Sequence, residues 1–257
     1  MSEGARFELA ALTTEEARAV CAAPPCAVLL PVGSVEPHGP HLPLATDTMI
    51  SVAASRRAAR ALGSRGVAAY VAPSVAYGVT EYAAGFSGAI GVSAGVLTSL
   101  LGEIVRHLLR DGWSHVCLVN NHLEPAHDEA VRAAVMGIAT GHASVACPLT
   151  RRWARTLSDE FKRGNCHAGR YETSLAMAAD AQVRAEYARL PAVATSLSDQ
   201  MRAGVTTFAA MGLDRAYTGA PAEASAAEGE ALYDKLADMI VTEVIEGLTA
   251  AGTPPRT

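Results

Sequence analysis

Two periods govern the apolar positions of this chain. Short continuous apolar runs at 27–32, 67–75, 115–119 and 143–147, bounded by glycine, proline or polar residues, predict buried strands. Between them, apolar residues recur every three or four positions over 48–62, 94–110 and 126–140, which predicts helices. Gly63 stops the first of these, and Ser93 opens the second, which ends at Asp111-Gly112. A shorter helix opens at Leu12-Thr-Thr-Glu-Glu-Ala17, where Thr13 and Glu16 fit a capping box, and Pro24-Pro25 closes it. Segments 151–162, 172–181 and 223–251 read as further helices. The stretch 191–221 has little periodicity and several glycines; so long an irregular connection predicts a functional loop or an interface. Strands alternating with helices predict a single domain over 1–257, a three-layer α/β/α sandwich with a mainly parallel sheet. Ligands bind such sheets beyond the carboxyl ends of the strands.

With 257 residues, half of them apolar, the chain is long enough to bury a full core. A net charge of −5 and a pI near 5.9 argue against nucleic acid as a partner. No apolar run reaches the roughly eighteen residues of a membrane span, and the acidic N-terminus has no apolar signal region, so a cytoplasmic location is expected. Cys21, Cys26, Cys117, Cys147 and Cys166 lack paired spacing, which argues against a disulfide framework or a cysteine zinc site. Cys166 adjoins His167, so a reactive thiol is one reading of it.

The chemistry concentrates after two strands. The first leads into a proline-stiffened loop carrying Glu36, His38 and His41 and ends on Asp47; the second leads into His122-Leu123-Glu124. Pro37 biases Glu36 toward extended backbone, in which residues two apart point the same way, so Glu36 and His38 face one point. A rigid turn with solvated charges is the alternative for either run alone, but two strands ending in a carboxylate–imidazole pair point to a metal site.

The run Pro31-Val-Gly-Ser-Val-Glu-Pro-His-Gly-Pro-His-Leu-Pro-Leu44 followed by Thr46-Asp47 resembles the signature of the creatininase family of metal-dependent amidohydrolases. Asn120-Asn-His-Leu-Glu124 and His167-Ala-Gly-Arg-Tyr-Glu-Thr-Ser-Leu175 support the resemblance, and Tyr77-Gly-Val-Thr80, Gly85-Phe86 and Gly219-Ala-Pro221 match more weakly. The resemblance implies a creatininase-like fold and a homo-oligomer, typically a hexamer. It also implies two divalent ions, zinc, manganese or iron, with Asp47 bridging, Glu36 and His122 on one ion, and His38 and Glu124 on the other. His167 corresponds to a catalytic histidine, Glu172 to a site carboxylate and Thr80 to a residue contacting substrate. Read from position alone, Glu172 is equally a helix-start residue favoured by the helix dipole.

Hydrolysis of an unactivated amide needs a hydroxide equivalent and a polarised carbonyl, and two ions about 3.5–4 Å apart, bridged by hydroxide, supply both. The expected substrate is a small-molecule or short-peptide amide: a cyclic amide, a formamide or a peptide bond. Leu123 stands where creatininase carries an aromatic residue, and Lys162-Arg-Gly-Asn-Cys166, just before His167, holds no tryptophan, Trp153 lying farther upstream; both departures argue against creatinine. The family also holds a deformylase of flavin and deazaflavin precursors and a peptidase of the mycofactocin precursor. Pro37, Asn121-His-Leu-Glu124 and Ser87 depart from the usual residues of those relatives. Ester or lactone hydrolysis on the same site and a catalytically silent metal-bound scaffold are the alternatives. His127 and Asp128 are expected to cap a helix or support a ligand, His41 to orient one, and His107, His115 and His142 to be structural.

Overall fold

The computed structural model describes residues 7–255; the acidic N-terminal run read above for a signal region lies, through residue 6, outside them. Helix α1 (Thr14–Cys21) begins with the capping box its sequence predicts: the Thr13 side chain accepts the Glu16 N–H, and the Glu16 carboxylate accepts the Thr13 N–H. Strand β1 (Cys26–Val32), helix α2 (Thr46–Gly63), strand β2 (Ala68–Val71) and helix α3 (Ala94–Arg110) follow. Next come strand β3 (His115–Asn120), helix α4 (Pro125–Val135) and strand β4 (Ala143–Ala146). The four strands form one parallel sheet in the order β2-β1-β3-β4.

The two central strands are buried from end to end, which is why they read as unbroken apolar runs. Alternate residues go to opposite faces. Ala27, Leu29, Cys117 and Val119 pack with Ile50 and Ala54 of α2 and with the two C-terminal helices α7 (Arg170–Ala178) and α9 (Ala226–Ala250). Val28, Leu30, Val116 and Leu118 pack with Leu97 and Leu101 of α3 and Val131 of α4. The sequence thus folds as the expected three-layer α/β/α sandwich. Pro31 sits in a central strand, where a missing N–H would ordinarily break the ladder. Here β2 has already ended at Val71, and the Pro31 carbonyl still accepts the Val75 N–H.

Elsewhere the elements differ from expectation. The single helix predicted over 151–162 is two short ones, α5 (Arg151–Ala154) and α6 (Asp159–Lys162), because the Ser158 side chain caps the second by accepting the Phe161 N–H. The predicted strand 67–75 stops at Val71, two residues before Pro73, and the helix predicted to residue 140 stops at Val135. The segment 191–221 is not irregular throughout. It contains α8 (Leu197–Arg202), capped by Ser196, and builds a small apolar cluster of its own around Leu197, Phe208, Met211 and Leu213. Among the described residues no helix is long and apolar enough to cross a membrane.

Candidate metal centre

At the carboxyl end of the sheet, four pieces of chain converge. Glu36 and His38 follow β1, Asp47 lies in the first turn of α2, His122 and Glu124 follow β3, and Glu172 lies in the first turn of α7 just beyond His167. A carboxylate in a first helical turn faces unpaired N–H groups, which favours its charged form. Gly33 lets β1 run hard against α2: a Cβ there would fall 2.5–2.7 Å from Thr48 Oγ1, N and Cα. That close approach brings Asp47 next to Glu36 and His38.

Three sets of buried donors result, in each of which the ligand atoms lie within 4.8 Å of one another: Glu36, Asp47 and His122; His38, Asp47 and Glu172; and Glu36, His38 and His167. Asp47 belongs to two of them. Its Oδ1 is 3.0 Å from His38 Nε2, and its Oδ2 is 3.0 Å from His122 Nδ1. His38 Nε2 is also 3.6 Å from Glu172 Oε2, and Glu36 Oε1 is 3.2 Å from His122 Nδ1.

Each imidazole is aimed by a backbone carbonyl. His38 Nδ1–H donates to the Glu36 carbonyl at 3.1 Å, His122 Nε2–H to Val79 at 2.7 Å, and His167 Nε2–H to Pro37 at 3.0 Å. A carbonyl can only accept, so the proton is fixed on that nitrogen and the other nitrogen turns toward the carboxylates. The run Tyr77-Gly-Val-Thr80 is the brace behind this. Thr80 Oγ1 donates to Glu36 Oε2 at 2.6 Å, and the Val79 N–H donates to His127 Nδ1 at 3.2 Å. The His127 ring stands edge-on to His122 at 4.6 Å.

The buried charges of the cluster set one another's protonation. Burial alone would raise Glu36, but His122 beside it outweighs that and holds the carboxyl at about 2. Asp47 is likewise held far below its usual range, burial being outweighed by His38 and His122. Burial would strip His38 of its proton, yet Asp47, Glu172 and Glu36 push it up to about 10. His122 is raised in the same way by Glu36 and Asp47. Burial pushes Glu172 up to about 8 and Glu124 to about 7, whereas burial and the nearby His38 push His167 down to about 4. Asp47 Oδ2 keeps no aligned hydrogen bond although it is fully buried. Such an atom, in a mixed imidazole–carboxylate set, fits a divalent cation of the zinc, manganese or iron type.

Two expected site residues stand elsewhere. Glu124, expected opposite His38, is in none of the three sets: its carboxylate accepts the Glu81 and Tyr82 N–H groups at 3.0 and 3.2 Å. Glu172 stands beside His38 instead, its Oε2 also accepting the Ala168 N–H. Thr80, expected to contact substrate, spends its hydroxyl on Glu36, while Leu123 does line the cavity above the donors. His41 braces α7 at 2.8 Å through Oγ1 of Thr173, the residue next to Glu172. Asp128 pairs with Arg132, and His115 and His142 bond backbone carbonyls in the sheet region. Burial raises the Cys166 thiol well above its usual range, against the reactive reading.

One residue that sequence reasoning did not single out is Phe208, whose ring stacks on His167 at 4.4 Å. Its N–H donates to the Tyr82 carbonyl, tying the 191–221 segment to the turn that holds Glu124. The only signal for it was an aromatic residue in a stretch without periodicity.

Residues 10–244 match the family model described as creatininase, creatinine amidohydrolase. The mycofactocin precursor peptide peptidase of Mycobacterium ulcerans is 30% identical over 226 residues, 84% of each chain. That of Mycolicibacterium smegmatis is 33% identical over 219 residues, 81% of this chain and 80% of the relative. A solved structure named "Creatininase Mn" superposes with a TM-score of 0.73 over 93% of this chain and 98% of its own, at 23% identity, which speaks to fold alone. A match spanning nearly the whole chain settles its kinship: the chain is a hydrolase belonging to the creatininase family.

Proposed function

We propose that the chain hydrolyses a C–N amide bond with two divalent ions, one held by Glu36, Asp47 and His122 and the other by His38, Asp47 and Glu172. The observation that carries this reading is the aim of the imidazoles: one nitrogen of each is tied to a backbone carbonyl, and the other faces shared carboxylates. Asp47, common to both sets, is the bridging group. When bound, such a pair activates a water and polarises the scissile carbonyl.

The remaining groups move protons. Glu124, pinned by two N–H groups at the cavity wall, has a carboxyl at about 7, so near neutral pH it can take a proton from the attacking water and give it up again. His167 is neutral, with Nε2–H tied to Pro37; its Nδ1, 3.8 Å from Glu36 Oε1, faces the cavity floor, where it can pass a proton to the departing nitrogen. Ala168, between His167 and the Glu172 helix, has φ 51°, a left-handed conformation that directs its N–H onto Glu172 Oε2. Backbone strain beside both groups fits a site in which their positions are fixed.

The substrate is an amide other than creatinine: Leu123 and an apolar wall offer a polar ring few partners. The homo-oligomer implied by the resemblance belongs to the same reading, and light scattering tests it. The deciding experiment is metal content by elemental analysis on the wild type and on Asp47→Asn, followed by a screen of cyclic amides, formamides and blocked dipeptides. Near two ions per chain in the wild type, loss in the variant and turnover of one amide class are expected. A wild type that binds neither zinc nor manganese would end the proposal.

A further inference from the structure

Above the donor floor lies a cavity of about 180 Å³. Its walls come from four separate parts of the chain: Leu123 after β3, Phe161 on α6, Leu197 and Met201 on α8 with Phe208 beyond it, and Tyr82. Beyond the donors, Glu124 and the Tyr82 hydroxyl, two polar side chains line the wall, and both have partners of their own. Lys162 Nζ lies 3.1 Å from Asp159 Oδ1, and Ser198 Oγ lies 3.2 Å from Ser196 Oγ. The walls therefore present hydrocarbon to whatever lies over the donors, and a polar substituent there would lose water without finding a partner.

From this we infer that the site selects amides carrying one apolar group, of about the size of a leucine or phenylalanine side chain, next to the scissile bond. The inference rests on the amide-hydrolase reading above and names the substrate class for it. Size sets the limit: an apolar cavity of about 150 Å³ accepts one benzene ring. At about 180 Å³, part of it over the donors themselves, this one takes a phenyl or branched aliphatic group more readily than an indole. Phe208 forms part of the wall and stacks on His167, so the group that fills the cavity rests against the ring that orients the proton carrier. Burying such a side chain is worth about a ten- to hundred-fold gain in kcat/KM over the same amide without it.

The test uses two series of blocked dipeptides on the metal-loaded chain, with glycine, leucine, phenylalanine or tryptophan placed on the acyl side or on the amine side of the bond. In one series kcat/KM should rise by about ten- to hundred-fold from glycine to leucine or phenylalanine and fall back at tryptophan. A second readout needs neither metal nor turnover: ligand-observed NMR of N-acetylphenylalaninamide against N-acetylglycinamide on the metal-free chain. The aromatic amide should bind and the glycine amide should not, and Met201→Trp, which fills the cavity, should abolish the difference. Glycine members turned over as fast as the apolar ones, or equal binding of the two amides, would overturn the inference. Preferential binding with no hydrolysis of any member, nor of cyclic amides or formamides, would instead sink the amide-hydrolysis reading and leave the selectivity of the cavity standing.

Discussion

Replacing Thr80 with valine separates two roles for one hydroxyl. Thr80 Oγ1 donates to Glu36 Oε2 at 2.6 Å, and both residues are buried, with Glu36 2% exposed. Valine keeps the shape and removes the donor, so one oxygen of a buried carboxylate is left without a partner. A hydrogen bond to a charged group contributes about 1.5–3 kcal/mol, and the site gives water little access to replace it. The metal-free variant should therefore lose about 1.5–3 kcal/mol in urea denaturation, with the slope unchanged. Because the bond also fixes which oxygen of Glu36 faces His122, metal affinity should fall about 10- to 100-fold in a chelator competition. If Thr80 contacted substrate instead, stability and metal affinity would stay at wild-type values and only KM would rise. That outcome would refute the reasoning.

Other consequences are equally open to measurement. Glu172→Gln should remove one ion per chain by elemental analysis, whereas Glu124→Gln should keep the metal and lose at least about 100-fold in kcat; the reverse pattern would restore Glu124 as a ligand. Loading the metal-free chain at pH 7 should release protons. His38, at about 10, and His122, raised well above its ordinary value, both hold a proton that a ligand must lose, and Glu172, at about 8, is mostly protonated as well. Affinity should therefore weaken as pH falls, and calorimetry in buffers of different ionisation enthalpy should show the release; none would contradict the ligand set. Gly33→Ala should cost about 1–3 kcal/mol and lower metal content, because its Cβ would collide with backbone atoms of Thr48 that have no room to yield. Wild-type stability and metal content in that variant would dissociate the strand–helix approach from the site.

How far the sequence could be read depended on the range of the forces involved. The four strands and the long helices were visible because burial on both faces of a parallel sheet writes continuous apolar runs, and because Thr13, Ser93 and Gly63 mark helix ends locally. Glu36, His38, Asp47 and His122 were visible for a related reason: Glu36, His38 and His122 lie in the loops that leave two strand ends, and Asp47 opens the helix to which the first of those loops leads, so topology sends all four to one edge of the sheet. What stayed hidden was decided by side chains arriving from far along the chain. His122 and Glu124 are two residues apart after one strand, yet only His122 faces the shared carboxylates, because the Glu81 and Tyr82 N–H groups hold the Glu124 carboxylate toward a different wall. Its place beside His38 is filled by Glu172, more than a hundred residues away, which periodicity could describe only as the start of a helix. Phe208 shows the same limit. Nothing in its neighbourhood specifies a contact with His167; the contact exists because the 191–221 segment folds onto its own small apolar cluster and is tied by backbone hydrogen bonding to the turn that carries Tyr82. On the proposed reading, Glu36, His38, Asp47 and His122 thus come from chain at the carboxyl edge of the sheet, while Glu172, Phe208 and most of the cavity wall come from segments laid across it.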